Sequence, residues 1–466
     1  MVAERALTTE VAGSEGLRRS LRRRHMQMIA LGGVIGAGLF VGSGVVIGAA
    51  GPAAVISFAL TGTLVVLVMR MLGEMAVAYP AIGGFYEYNR LALGELAGFL
   101  TGWMYWYFWV IVVALEAVAG AKILGTWWPG VPPWQYTLAL MSLFTLVNLL
   151  SVRSYGEAEF WFASIKVAAI VAFLCAGAAF ALGAWPGAQG GIAALTAHGG
   201  FMPNGIVPVL TGAVAATGFY FGAEIVTIAA AESAEPERAV AETTQSVIWR
   251  VLIFYIGSIF LVVAIVPWND TVRMAHPYVS VMEELRVPAA ATLMSIVVLT
   301  AVLSALNSGL FASSRMLMAL ARRGDAPAAF SRLDTRGVPV AAILASTAFG
   351  YVTVVMSYLS PDRIFAFLVN SYGTVAIFVY VLIAVAELRL RRQLERDAPA
   401  RLLVRMWGYP WLTRFTIIAM LAIVAAMAVI PEQRVALIFG LVSVAVMLIA
   451  YALRLRFPVH RQGALP

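Results

Sequence analysis

The stretch Met28–Gly44 reads MIALGGVIGAGLFVGSG and lies in a run without a charged residue from Met26 to Met69. About 20 apolar residues suffice for a helix to cross the hydrocarbon core of a bilayer. Yet Gly32, Gly33, Gly36 and Gly38 recur in it, and each glycine weakens a helix by roughly 0.5–1 kcal/mol relative to alanine. One reading is close packing, since small residues let membrane helices approach each other. The other is a deliberate break, which lipid tolerates only where protein covers the unwound backbone or it lines a cavity. A break would leave free N–H groups at the start of the outer half-helix, suited to a carboxylate, and free carbonyls at the end of the inner half, suited to an ammonium group.

A second stretch favours the break. Thr211–Glu224 reads TGAVAATGFYFGAE and lies five spans further on at a comparable depth. A repeat with an odd number of spans inverts its second copy, an arrangement many transporters use. Around these two stretches the chain of 466 residues is 61% hydrophobic and only 12% charged, outside the range of ordinary soluble domains. The apolar runs are continuous rather than alternating, which excludes a barrel.

The expected fold is an all-α polytopic membrane protein of twelve transmembrane helices, at 26–47, 53–78, 98–124, 134–151, 158–182, 205–231, 246–267, 289–321, 339–359, 361–386, 410–430 and 433–454. The organisation that follows is a basic tail (1–25), a first five-helix repeat (26–182), an external loop (183–204), a second, inverted repeat (205–386), a basic loop (387–409), two extra helices (410–454) and a short tail (455–466). Arginines concentrate in the tails and alternate loops, which by the positive-inside bias places both termini in the cytoplasm. The net charge of +8 is therefore a topology signal rather than a nucleic-acid footprint. The tail before Met26 lacks the apolar core of a signal peptide, and the single cysteine, Cys175, cannot form a disulfide within the chain. A short external helix is expected over His276–Leu285.

Charges inside the spans are few. Lys166 is one of only two lysines, and a cation within a span costs at least ~2.5 kcal/mol on insertion scales, so it belongs to the protein interior and is a candidate for proton coupling. Glu116 lies well within span 3, and Glu224 follows the span 6 glycines; a carboxylate there pairs with a cation, accepts a proton or serves a structural hydrogen bond. Glu232 sits nearer the helix end, as a gate or end contact. Arg70 and Glu74, four apart, are expected to pair along their helix. Phe219 and Phe221 beside the second break are candidates to close over a small ligand, with ordinary packing as the alternative. All four histidines fall in tails or loops, so neither an intramembrane metal cluster nor a histidine triad is available, and an enzyme is not expected.

Taken together, RRHMQMIALGGVIGAGLF, YGEAEFWFASIKV, GGFMPNG, GAEIVTIAAAES, RRGDAP and RMWGYPWLT resemble the amino acid permeases of the amino acid–polyamine–organocation superfamily, in particular the bacterial γ-aminobutyrate (GABA) permeases. That resemblance implies a leucine-transporter-like 5+5 inverted repeat with helices 1 and 6 broken. It implies uptake of a small amino acid across the bacterial inner membrane, driven by a proton gradient and needing no cofactor. Carried over, the backbone at Gly36, Ala37 and Gly38 would bind the substrate carboxylate, and carbonyls near Ile35 and Phe219 would receive the amine. Lys166 would stand where sodium-coupled relatives hold a sodium ion, and Glu116, Glu224 and Glu232 match functional carboxylates. A bulky residue that relatives carry six positions before the span 6 glutamate is Gly218 here, shifting the aromatic to Phe219. GABA separates its charges by two more methylenes than an α-amino acid, which makes Glu116 a candidate amine partner. The alternatives are a permease or exchanger for an aromatic or other neutral amino acid, and a sensor that binds without moving its ligand. The oligomeric state is not legible.

Overall fold

Lipid offers no hydrogen-bond partner to a peptide group, so long apolar runs satisfy their own backbone as helices. The computed structural model describes residues 23–32, 35–36, 38–79, 84–150, 152–186, 194–222, 224–229, 249 and 252–456, and among them there is no strand. The α-helices are α1 (Arg23–Gly32), α2 (Ser43–Ala50), α3 (Ala54–Ala78), α4 (Phe85–Leu93), α5 (Glu95–Trp127), α6 (Pro133–Leu150), α7 (Val152–Ala181), α8 (Ala194–Ala197) and α9 (Ile206–Thr217). They continue as α10 (Ile225–Ala229), α11 (Ser258–Ile265), α12 (Thr271–Met274), α13 (Pro277–Glu284), α14 (Ala290–Arg322), α15 (Val340–Leu359), α16 (Pro361–Asp397), α17 (Trp411–Val429) and α18 (Pro431–Arg456). Among the described residues, eight helical segments are long and apolar enough to cross a membrane. Prolines open α6, α13, α16 and α18, where the missing N–H would have no helical acceptor in any case.

The centre of the bundle is α5, lined on its flanks by α14, α16, α6 and α4; α1 lies against α7, and α3 against α9. At the periphery α17 and α18 rest on α16 and are only 22% buried, against 67% for α5. Their outer faces carry Ile418, Val429 and Ile449 in the open, as lipid-facing helices do. α16 runs on past residue 386 through a charged stretch to Asp397, where Arg391 pairs with Glu395 one turn away at 2.8 Å. α4 is a helix that hydrophobic periodicity did not foretell, because its FYEYNRLAL is short and mixes polar with apolar residues.

Arg70 and Glu74 do not pair as their spacing led us to expect. The Arg70 guanidinium donates to the Arg405 carbonyl at 2.8 Å and lies over the Trp407 ring. Glu74 instead accepts from Arg391 on α16 and from the Met406 backbone N–H, each at 2.5 Å. A partner on another helix fixes tertiary packing, which an intrahelical pair does not.

At the same end of the bundle, Asp325 just beyond α14 has no exposed side-chain surface. It accepts from the Tyr86 hydroxyl at 2.6 Å and from Arg90 at 2.8 Å, and forms an ion pair with Arg454 near the end of α18. Beside it Glu87 accepts from Arg323 Nε and Nη2, at 2.7 and 2.9 Å. One buried carboxylate thus ties α4, α14 and α18 together. Removing one partner of a buried charge cluster typically costs about 3–5 kcal/mol. Asp325→Ala is therefore expected to lower the thermal midpoint of the detergent-solubilised protein, whereas Arg336→Ala, an exposed pair with Asp334, leaves it within error.

Candidate functional site

Both glycine-rich stretches are broken. α1 ends at Gly32, and the chain resumes as a π-helical turn over Gly38–Gly42 that leads into α2. α9 ends at Thr217, passes through a 3₁₀ turn at Gly218–Tyr220, is extended at Phe221 (φ −69°, ψ 139°), and restarts as α10. The restart requires φ +125° at Gly222, a conformation open to glycine and closed to residues with a side chain.

Lys166 reaches the first break. From α7 its fully buried ammonium donates to the Ile35 carbonyl at 2.9 Å and to Ser304 Oγ of α14 at 2.8 Å. Three segments are therefore held by one cation. The carboxylates whose charge bears on it are Glu159 and Glu116. Glu116, on α5, stands beside Gly36: a Cβ on that glycine would lie 3.2 Å from Glu116 Oε1. Gly36 thus brings backbone and carboxylate within a contact distance that a side chain would tighten.

Phe219 lies along the other side of the first break. A Cβ on Gly38 would come within 2.7 Å of Phe219 Cδ1, and one on Gly42 within 2.6 Å of Phe219 Cζ. The Phe219 carbonyl accepts from the Tyr255 hydroxyl at 2.7 Å. Both carbonyls expected to meet an amine, Ile35 and Phe219, are thus each engaged by a side-chain donor. A carbonyl has two lone pairs, so each keeps acceptor capacity for a second donor.

Glu224 and Phe221 belong to a separate cluster. Glu224 is fully buried, accepting from Tyr105 of α5 and Tyr380 of α16 at 3.1 Å each and from the Gly222 N–H at 3.0 Å. The Phe221 ring packs on Phe108 at 4.2 Å and Tyr380 at 4.7 Å. These contacts fasten the second break to α5 and α16.

The sequence pattern of the amino acid permease family matches residues 25–462. The chain belongs to that family. It is 49% identical over 450 residues to the γ-aminobutyric acid permease of Bacillus subtilis, covering 96% of both proteins. To the γ-aminobutyric acid permease of Escherichia coli it is 46% identical, over 91% of this chain and 92% of that one. The aromatic amino acid transport protein AroP of Corynebacterium glutamicum is 42% identical, over 89% and 90%. Among solved structures, a manganese transporter of Eremococcus coleocola, crystallised with an aromatic bis-isothiourea substituted compound, superposes with a TM-score of 0.54. It covers 93% of each chain at 13% identity, so that likeness speaks for the fold alone.

In this permease Ile35, Gly36, Gly38, Glu116, Lys166 and Phe219 gather around the first break, and Glu224 and Phe221 around the second. Ala37 and Glu232 lie outside the described residues. Sequence reasoning passed over Glu159, Ser304, Tyr105, Tyr255 and Tyr380. Glu159 had a signal, since it precedes Lys166 by two helical turns on the same face of α7. Tyr255 had none, because it falls in a second π-helical turn, Ile253–Gly257, which re-aims side chains locally.

Proposed function

We propose that this permease imports a small amino acid, GABA or a close analogue, together with a proton, by alternating access. Twelve spans, arranged as two inverted five-helix repeats plus two further helices, sit in the bacterial inner membrane with both termini in the cytoplasm. The substrate carboxylate meets the N–H groups that open the helical turn at Gly38. Its amine meets the remaining lone pairs at the Ile35 and Phe219 carbonyls, with Glu116 as the more distant anchor that a γ-amino acid needs. Phe219 covers the ligand. The proton enters through its effect on Lys166: a charged ammonium braces the first break against α7 and α14, and loss of that charge releases it. A driving force exists because substrate and proton together favour one conformation over the other.

The observation that carries this reading is the ammonium of Lys166 on the Ile35 carbonyl inside the break. Extensive identity to named GABA permeases supports the substrate, and identity to an aromatic amino acid transport protein supplies the competing reading. The test is uptake of labelled GABA into proteoliposomes with and without an inward proton gradient, competed by unlabelled amino acids. Accumulation that needs the gradient and is competed best by GABA is the expected result. Strong competition by phenylalanine or tyrosine, with no GABA uptake, would transfer the assignment to the aromatic class.

A further inference from the structure

A proton that leaves a buried lysine needs somewhere to go, and the groove between α7 and α14 offers a continuous row of groups. Ser304 Oγ accepts from Lys166 at 2.8 Å and donates to Glu159 Oε1 at 2.5 Å. Glu159 is fully buried. Its second oxygen receives Asn307 Nδ2 at 3.4 Å, and Asn307 in turn accepts from Asn148 of α6 at 3.1 Å. Amides orient the carboxylate but do not pass protons. Ser308, one helical turn after Ser304, also bonds Glu159 and stands 3.5 Å from the Tyr155 hydroxyl. Tyr155, Glu159 and Lys166 all lie on α7, and from Lys166 to Tyr155 the row descends about 16 Å at 1.5 Å per residue.

We propose that Lys166, Ser304 and Glu159 form a proton relay, in which Glu159 is the group that takes the coupling proton from Lys166. This rests on the proton-coupled reading above. In the transfer an Nζ–H bond of Lys166 breaks and its proton goes to Ser304 Oγ, while the Ser304 hydroxyl proton passes to Glu159 Oε1. The products are a neutral amine, an unchanged serine and a neutral carboxylic acid, so the summed charge stays at zero. Turning a buried ion pair into two neutral groups removes two desolvated charges at once, so the lost Coulomb attraction is largely offset. Ser308 and Tyr155 continue the row towards the amino end of α7. There Glu157, partly exposed, meets Arg24 at 2.6 Å and His25 at 3.3 Å. The other charges facing the row are Glu116 on α5 and Arg315 on α14, which lies over the Phe311 ring on which Tyr155 stacks.

Two measurements test the relay. In the infrared spectrum of the purified protein at neutral pH, Lys166→Gln deprives Glu159 of its counter-charge. A carboxylic-acid C=O band is then expected in the Lys166→Gln minus wild-type difference spectrum, and is expected to be missing from the corresponding difference for the Lys166→Gln, Glu159→Gln double variant. No difference band, or a difference band that survives in the double variant, would overturn the proposal. In proteoliposomes, Glu159→Gln and Ser304→Ala are expected to lose gradient-driven accumulation about tenfold or more while keeping GABA counterflow, which needs no net proton release. Ser304→Thr, which restores a hydroxyl, is expected to recover accumulation. Wild-type accumulation and pH profile in Glu159→Gln would overturn the relay, as would joint loss of counterflow and accumulation in both Glu159→Gln and Ser304→Thr. If wild-type protein accumulates nothing under a gradient while the infrared bands behave as expected, the proton-coupled uptake reading falls and the Lys166–Glu159 linkage stands.

Discussion

Replacing Lys166 by alanine is expected to abolish gradient-driven accumulation while leaving protein in the membrane. The ammonium ties α7 to the Ile35 carbonyl and to Ser304, and two buried carboxylates bear on its charge. Deleting it forces Glu159 either to take up a proton or to stay buried without its counter-charge, at a typical cost of about 3–5 kcal/mol, or roughly 10²–10⁴ in an equilibrium. In the proposed cycle that cost falls on the conformation in which the first break is braced, so one of its two states is lost. Arginine is not a conservative replacement, because its planar fork has neither the size nor the variable charge of an amine. The measurement is labelled GABA accumulation at several external pH values, normalised to protein in the bilayer. Accumulation that persists with wild-type pH dependence would remove Lys166 from the coupling step.

Gly42→Ala is expected to reduce uptake about 5- to 150-fold, and Phe219→Leu in the same chain to restore much of it. The added methyl would meet Phe219 Cζ, Cε1 and Cε2 at 2.6–3.2 Å, and overpacking of this kind costs roughly 1–3 kcal/mol. Leucine lacks the outer ring atoms, so the clash disappears in the double variant and the two effects do not add. Gly38→Ala provides the contrast. Its methyl would meet Phe219 Cδ1, Cγ and Cβ at 2.7–3.0 Å, atoms that leucine keeps, so Phe219→Leu should not rescue it. Initial rates of the four variants decide the matter, and equal rescue of Gly38→Ala and Gly42→Ala would show that the ring does not lie along this face.

The backbone features of the site were the legible part. Apolar runs of sufficient length could only be helices, and glycine clusters marked both interruptions. A lone lysine in an apolar helix advertised an interior role because its burial is so costly. Pairings between distant segments were another matter. Arg70 and Glu74 obeyed an i,i+4 rule that describes isolated helices, whereas tertiary partners 317 and 335 residues away won both. Tyr105 and Tyr380, which hold Glu224, are ordinary aromatics in apolar helices until the fold brings their hydroxyls to one carboxylate. The π-helical turns at Gly38–Gly42 and Ile253–Gly257 left no periodic trace, since one extra residue in a turn is invisible in a hydrophobic pattern.

The bond from Lys166 to the Ile35 carbonyl is a cation leashed to the chain. An inorganic ion bracing the same carbonyl would bind and leave according to its concentration in the medium. A side chain has no such dissociation equilibrium, and its effective concentration at the carbonyl is set by the helix that carries it. The brace therefore holds equally in dilute and in salty surroundings. On the proton-coupled reading, the one dissolved species that acts on it is the proton, which sets the brace when it binds the amine and releases it when it leaves.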